Sequence, residues 1–122
     1  MILLWIGLGG AIGSILRYWV QARLADWALT GFPYGTLAVN IIGSFLMGYL
    51  FWKFSHQWLE HAAVRNGILI GCLGGFTTFS TFSNDTLQLL LADEYVKAIA
   101  YVLLSVMTCI VFAGAGWYLA KQ

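Results

Sequence analysis

Charge is what this chain has least of. Six Lys and Arg and five Asp and Glu among 122 residues make up 9% of the sequence, far below the share that covers a soluble surface. Proline is nearly absent, with Pro33 standing alone, so little interrupts long helices. The two cysteines, Cys72 and Cys109, both lie inside apolar runs, which leaves no disulfide framework or thiolate metal cluster to expect; both read as packing residues. No phosphate-binding loop occurs, and the glycine run from Gly7 to Gly13 has its third glycine displaced and no preceding strand, which excludes a dinucleotide turn. No nucleic-acid partner is expected. No nucleophile, base and orienting group converge on one face, so the chain reads as no enzyme.

What is plentiful is apolar surface, at 61% hydrophobic and 16% aromatic residues. A lipid bilayer solvates such side chains directly. Four segments reach the length of about 20 helical residues that a bilayer requires, at roughly 2 to 23, 34 to 54, 66 to 91 and 96 to 119. The N-terminal apolar stretch has no Lys or Arg ahead of it and no small-residue cleavage pattern after it, and so reads as a first span and not as a leader. Polar clusters at Asp26 to Pro33, Ser55 to Arg65 and Asp93 to Glu94 separate the spans, too short for a soluble domain. Residues 1 to 122 form a single four-helix transmembrane domain. Trp5, Trp19, Trp27, Trp52, Trp58 and Trp117 fall mostly near span ends, where an indole sits well at headgroup level.

Orientation depends on which side carries more Lys and Arg. Lys53, Arg65 and Lys121 fall on one side, and Arg17, Arg23 and Lys97 on the other. That balance gives insertion no preferred direction, so two oppositely oriented copies are expected to assemble as an antiparallel, dual-topology homodimer. Small residues four apart, at Gly9 and Gly13, Ser44 and Gly48, Gly67 and Gly71, and Gly71 and Gly75, prepare close helix packing.

The third span contains Gly74-Gly75-Phe76-Thr77-Thr78-Phe79-Ser80-Thr81-Phe82-Ser83-Asn84-Asp85, polar for mid-membrane. Paired glycines weaken a helix and hydroxyls can satisfy freed backbone groups, so the span is expected to break near its middle, around Gly74 to Thr78. Broken membrane helices offer carbonyls to cations and N–H groups to anions. Phe76, Phe79 and Phe82 recur every third residue and would share a face with Ser80, Thr81 and Ser83. Ring edges there would favour an anion, although phenylalanines at helical spacing are more often packing. Asn40 inside the second span needs a partner, either an ion path or a neighbouring helix. Tyr101, Ser105 and Cys109 recur every fourth residue with Thr108 alongside, a polar stripe on the fourth span. Arg17, late in the first span, suits an aqueous vestibule or simple snorkelling. Asp85 reads either as a partner for a base at the pathway mouth or as a helix-end cap.

The stretches Gly-Gly-Ala-Ile-Gly-Ser-Ile-Leu-Arg-Tyr at 9 to 18, Gly-Thr-Leu-Ala-Val-Asn-Ile-Ile-Gly-Ser-Phe at 35 to 45 and Gly-Gly-Phe-Thr-Thr-Phe-Ser-Thr-Phe-Ser at 74 to 83 resemble the Fluc-type fluoride channels, the CrcB family. The resemblance extends over essentially the whole chain. It implies a passive fluoride channel that exports fluoride and lowers its toxicity, in the bacterial cytoplasmic (inner) membrane. It further implies two separate pores per antiparallel homodimer and a structural sodium ion on the dimer axis. By the same resemblance Phe79 and Phe82 are the pore phenylalanines, Asn40 gives an amide to the ion path, and Ser80, Thr81, Tyr101 and Ser105 line a polar track. Arg17 then faces the vestibule, and the backbone carbonyls of Gly74 and Thr77 hold the sodium. Cys109 stands where some members carry serine. Dense donors suit fluoride, because a small anion entering low dielectric loses roughly tens of kcal/mol of hydration in idealised terms. The alternative is a small proton-coupled exporter of cationic compounds; it requires a membrane-embedded carboxylate, and no span has one at its centre. A third reading is a non-conducting packing subunit.

Overall fold

A computed structural model describes residues 1–25, 31–58 and 61–122, without the side chains of 57 and 58. Trp27, the side chain of Trp58 and parts of the first two polar connections lie outside this description. Among the described residues six α-helices follow in order: α1 (Ile2–Leu24), α2 (Tyr34–Lys53), α3 (Ala62–Asn66), α4 (Gly74–Phe76), α5 (Phe79–Leu91) and α6 (Tyr95–Lys121). A π-helical stretch, Phe54–Trp58, extends α2, and a second, Gly67–Leu73, joins α3 to α4. Among the described residues, three helical stretches are each long and apolar enough to cross a membrane unaided: Ile2–Leu24, Tyr34–His56 and Tyr95–Lys121. The remaining crossing is composite. It is built from residues 62–76 and 79–91, and together with the other three it makes an integral, multi-pass membrane protein.

Glycines decide which helices touch. On α1, a Cβ at Gly9 or Gly13 would collide with the carbonyl oxygens of Gly67 and Cys72 respectively, while Gly75 lies over Gly10, its Cβ position 2.7 Å from that carbonyl oxygen. The 67–76 segment therefore lies backbone to backbone against α1, as small-residue spacing permits. The second pair is α2 with α6. A Cβ at Gly48 would strike the Ala113 carbonyl, and one at Gly116 the Phe45 carbonyl. Of the four small-residue pairs expected from the sequence, every glycine lies in one of these two seams, while Ser44 lines a cavity.

Residues 36 and 101, 48 and 113, and 52 and 117 meet across the second seam. Their numbers differ by 65 each time, so α2 and α6 run parallel. Apolar burial gathers at the two ends. Phe54, Leu69 and Leu73 form one cluster, with Leu46, Met47, Leu50 and Ile68 around it; Leu89, Ala98 and Tyr101 form the other, with Phe32, Leu37 and Phe82. Between α5 and α6 the chain reverses at Asp93, whose φ of 58° lies in the left-handed region that Asp tolerates. The Glu94 N–H closes this turn on Leu89, and the Tyr95 hydroxyl donates to Asp93 Oδ1 at 2.8 Å.

The break is narrower than the paired glycines imply. Gly74 has φ −64° and ψ −37°, and the chain stays helical through Phe76; only Thr77 (φ −78°, ψ 157°) and Thr78 (φ −152°, ψ 118°) are extended. Gly74 and Gly75 belong to the α1 seam or its margin, so tertiary contact keeps them helical against their weak propensity. Phe76 consequently sits before the break, buried at 7% exposure, while Phe79 lies beyond it at 78%. The shared face expected for three phenylalanines reduces to Phe79 and Phe82, because the interruption resets the helical phase.

Candidate functional site

The break is held from both sides by side chains distant in sequence. Asn40 Nδ2 donates to the Thr78 carbonyl at 3.0 Å, and the Thr78 N–H donates to Asn40 Oδ1 at 2.8 Å. One amide thus replaces two backbone partners. The Thr78 N–H would otherwise close the next helical turn on Gly74, so its diversion to Asn40 is what ends α4. Thr78 then begins α5: its Oγ1 accepts from the Thr81 N–H at 3.1 Å, a helix N-cap. The same Oγ1 donates to Thr81 Oγ1 at 3.0 Å and lies 3.2 Å from Ser80 Oγ. Thr77 Oγ1 back-bonds to the Leu73 carbonyl at 2.9 Å, and its methyl fills the space above Gly43, where a Cβ would collide with it. On the α1 side, Arg17 Nη1 donates to the Thr77 carbonyl at 3.4 Å. Arg17 is half-buried against the break and tied to it.

A cavity of about 370 Å³ opens beside this junction, between α2, α5 and α6. Asn40, Phe79, Phe82 and Ser105 all line it, together with Ser44, Met47, Thr77, Thr78 and Cys109. Four of the seven residues expected on the anion path therefore border one cavity. The Phe79 and Phe82 rings are 5.4 Å apart, tilted by 44°. Ser105 is 5% exposed, and its Oγ is buried with no hydrogen-bond partner among the described residues. A hydroxyl in that state is costly unless something polar visits it.

The other three expected residues stand elsewhere. Tyr101 is fully buried on the far side of Phe82, its ring 5.2 Å from that ring and edge-on to Phe32 at 5.6 Å. Its hydroxyl donates to Asp85 Oδ2 at 3.3 Å. Ser80 and Thr81 turn toward the Thr78 cap, and Thr81 borders a separate hollow of about 310 Å³ with Gln21, Thr36 and Asp85. There Gln21 Nε2 donates to the buried Thr36 Oγ1 at 3.3 Å. Asp85 also borders a third hollow of about 380 Å³, beside Phe32 and Lys97. The partner given to Asp85 is the Tyr101 hydroxyl and not a base, and Asp85 lies inside α5 and not at a helix end.

Sequence reasoning missed Thr78 as the organiser of the break, although a threonine directly before a helical run is an N-cap signal. It also missed Gln21 with Thr36, which no local pattern marks. Asn40 clamps the third span at Thr78 and also lines the cavity.

A family model described as CrcB-like protein, Camphor Resistance (CrcB), matches residues 4–117. The chain belongs to the CrcB family. A CrcB relative from Syntrophotalea carbinolica is 46% identical, over 100% of this chain and 99% of its own length. One from Elusimicrobium minutum is 45% identical, over 95% of this chain and 90% of its own. One from Magnetococcus marinus is 43% identical, over 92% and 91%. Each of the three is named a fluoride-specific ion channel, FluC. These CrcB relatives are channels and not enzymes, as the sequence leads one to expect for this chain.

Proposed function

We propose that this chain is a passive, fluoride-selective channel of the bacterial cytoplasmic membrane that exports fluoride, assembled as an antiparallel homodimer with two pores. The observation that carries the reading is one cavity lined by Phe79, Phe82, Asn40 and Ser105, a serine whose buried hydroxyl has no partner among the described residues. An anion leaving water needs replacement donors. Ser105 has its hydroxyl proton free, and Asn40 Nδ2 keeps a second N–H after serving Thr78. Positive ring edges of Phe79 and Phe82 add weak attraction. No full charge stands among the cavity's lining residues, which lets an ion leave as readily as it enters. The names of the relatives support fluoride as that ion, and the three-against-three cation balance supports two orientations.

A structural sodium ion belongs to the same reading. A hard cation takes oxygen ligands, and unwound carbonyls in broken membrane helices supply them. Gly74, whose Cα faces open space, has lost the Thr78 N–H, and Thr77 is extended. Arg17 takes one lone pair of the Thr77 carbonyl and leaves the second. The donors fit a cation provided that a second copy contributes an equal set. When bound there, such an ion would supply fixed positive charge beside the Gly74 and Thr77 carbonyls.

Fluoride efflux from liposomes holding only the purified protein tests the channel reading. Phe79→Ile or Phe82→Ile should slow efflux by roughly tenfold or more, about 1.4 kcal/mol on the barrier. Phe112→Ile, outside the cavity, should leave it near wild type. No efflux from wild type refutes fluoride conduction, and equal effects of all three substitutions reduce the phenylalanines to packing.

A further inference from the structure

Far from the cavity, the last turn of the α2–α6 seam gathers indoles and positive charge. Trp52 and Trp117 meet there edge to face, with ring centroids 5.7 Å apart. One helical turn on from each stands a nitrogen-bearing side chain. The His56 ring stacks on Trp52 at 3.8 Å, within 18° of parallel, and Lys121 Nζ lies 5.3 Å from the centre of the Trp117 ring. Both side chains are exposed. A lysine at a span end ordinarily extends its ammonium into water. Here the ammonium folds back over an indole, to headgroup depth. His56 Nδ1 lies 3.1 Å from the Trp52 carbonyl, which can only accept, so Nδ1 carries the donated proton and Nε2 is left as an acceptor. Lys53 adds a further ammonium at this end, 5.9 Å from the Tyr49 ring. Among the described residues the side-chain carboxylates are Asp85, Asp93 and Glu94, and all three belong to the opposite end. Asp93 and Glu94 directly precede α6, whose last residue is Lys121, and Asp85 holds the Tyr101 hydroxyl. That end has its own cation over an indole, Arg23 at 4.9 Å from Trp19, but shares it with those carboxylates.

We propose that this end of the seam binds the headgroup of an anionic phospholipid of the phosphatidylglycerol type, with Lys121 Nζ donating to its phosphate and His56 Nε2 accepting from a headgroup hydroxyl. A phosphodiester carries charge and acceptors but no donor, and the ammonium answers both. The imidazole answers the hydroxyl. The two indoles, apolar in body and polar at one edge, suit the boundary between headgroup and acyl chain. Charge and hydroxyl are therefore selected together. Phosphatidylcholine brings its own cation and no headgroup hydroxyl, and phosphatidic acid brings charge without the hydroxyl.

Native mass spectrometry of the purified full-length protein in detergent, with phosphatidylglycerol and phosphatidylcholine of matched acyl chains added in equal amounts, tests this. Wild type should retain phosphatidylglycerol preferentially. Lys121→Gln should weaken that retention about fivefold, the effect of one lysine beside anionic headgroups. His56→Phe, which keeps a ring over Trp52 and removes Nε2, should weaken it by a similar factor, that of one hydrogen bond, and leave retention of phosphatidic acid unchanged. Arg23→Gln, at the end that carries the carboxylates, should change nothing. In unaltered protein, phosphatidylglycerol should slow carbethoxylation of His56 by diethyl pyrocarbonate and leave His61 unaffected, a readout independent of whether any variant folds. Inorganic phosphate or glycerol phosphate in millimolar excess should neither displace the lipid nor protect His56; if either does, the ligand is a soluble phosphate and the lipid assignment falls. No preference in wild type, a loss in Arg23→Gln equal to that in Lys121→Gln, or equal protection of both histidines overturns the site. Equal loss of phosphatidic acid and phosphatidylglycerol in His56→Phe overturns the hydroxyl contact. None of these readouts depends on fluoride conduction.

Discussion

The two halves of the third crossing are built by opposite means. Residues 62–76 lie against α1 through glycines whose missing side chains let carbonyls of one helix rest on the backbone of the other. Residues 79–91 touch their neighbours through side chains: the Thr78 cap, Phe82 against Tyr101, and the Tyr101 hydroxyl on Asp85. In lipid no hydrophobic force drives helices together, so close van der Waals contact and polar bonds are the two available means. The first half uses contact and is rigidly seated. The second half uses polar bonds, and it leaves beside itself the room that becomes the cavity.

The largest test of this contrast is steric. Gly13→Leu places a branched side chain where the Cys72 carbonyl stands. It should cost roughly 3 kcal/mol or more, at the upper end for overpacking. Size-exclusion and thermal-unfolding measurements should show little folded protein, and a normal melting profile would mean that the α1 seam is loose. Next comes Asn40→Leu, which leaves the Thr78 N–H and carbonyl without their partner. A loss of about 1 to 3 kcal/mol for each buried group left unsatisfied follows. Thermal stability and fluoride efflux should fall together, whereas lost efflux at unchanged stability would assign Asn40 to the ion alone. The smallest effect on folding belongs to Ser105→Ala. Its hydroxyl has no partner to lose, so stability should hold within about 0.5 kcal/mol of wild type, as for substitutions that disturb no contact, or rise slightly. Efflux should still fall. Destabilisation on removing that hydroxyl would show that it serves the fold and not a visiting ion.

Much of the second half is obscure in the linear chain for a physical reason. The Arg17 bond to Thr77 joins residues 60 apart, and the Asn40 bonds to Thr78 join residues 38 apart. Neither leaves a local pattern. Asn40 shows in the sequence only as a polar group needing a partner; whether that partner is an ion or a helix depends on the relative height of two spans. The phenylalanines mislead for a related reason. A period of three places Phe76 with Phe79 and Phe82 only while the helix is unbroken, and the two extended residues at 77 and 78 end that phase. Ser80 and Thr81 are track residues by the family resemblance, and the structure sets their hydroxyls at the Thr78 cap.

Apolar length, the scarcity of charge and the four-residue spacing of glycines determined by themselves that this chain crosses a membrane, how many times, and where a helix face permits close approach, because each of these is local and additive along the chain. Tertiary structure alone decided where the third crossing breaks and which polar groups share a cavity. Gly74 and Gly75 are free to unwind in isolation, yet contact with α1 keeps the segment helical, and Asn40 takes the next N–H and so moves the interruption to Thr77 and Thr78. Where a backbone donor goes is settled by whichever acceptor reaches it first in space, and that is a property of the assembled helices.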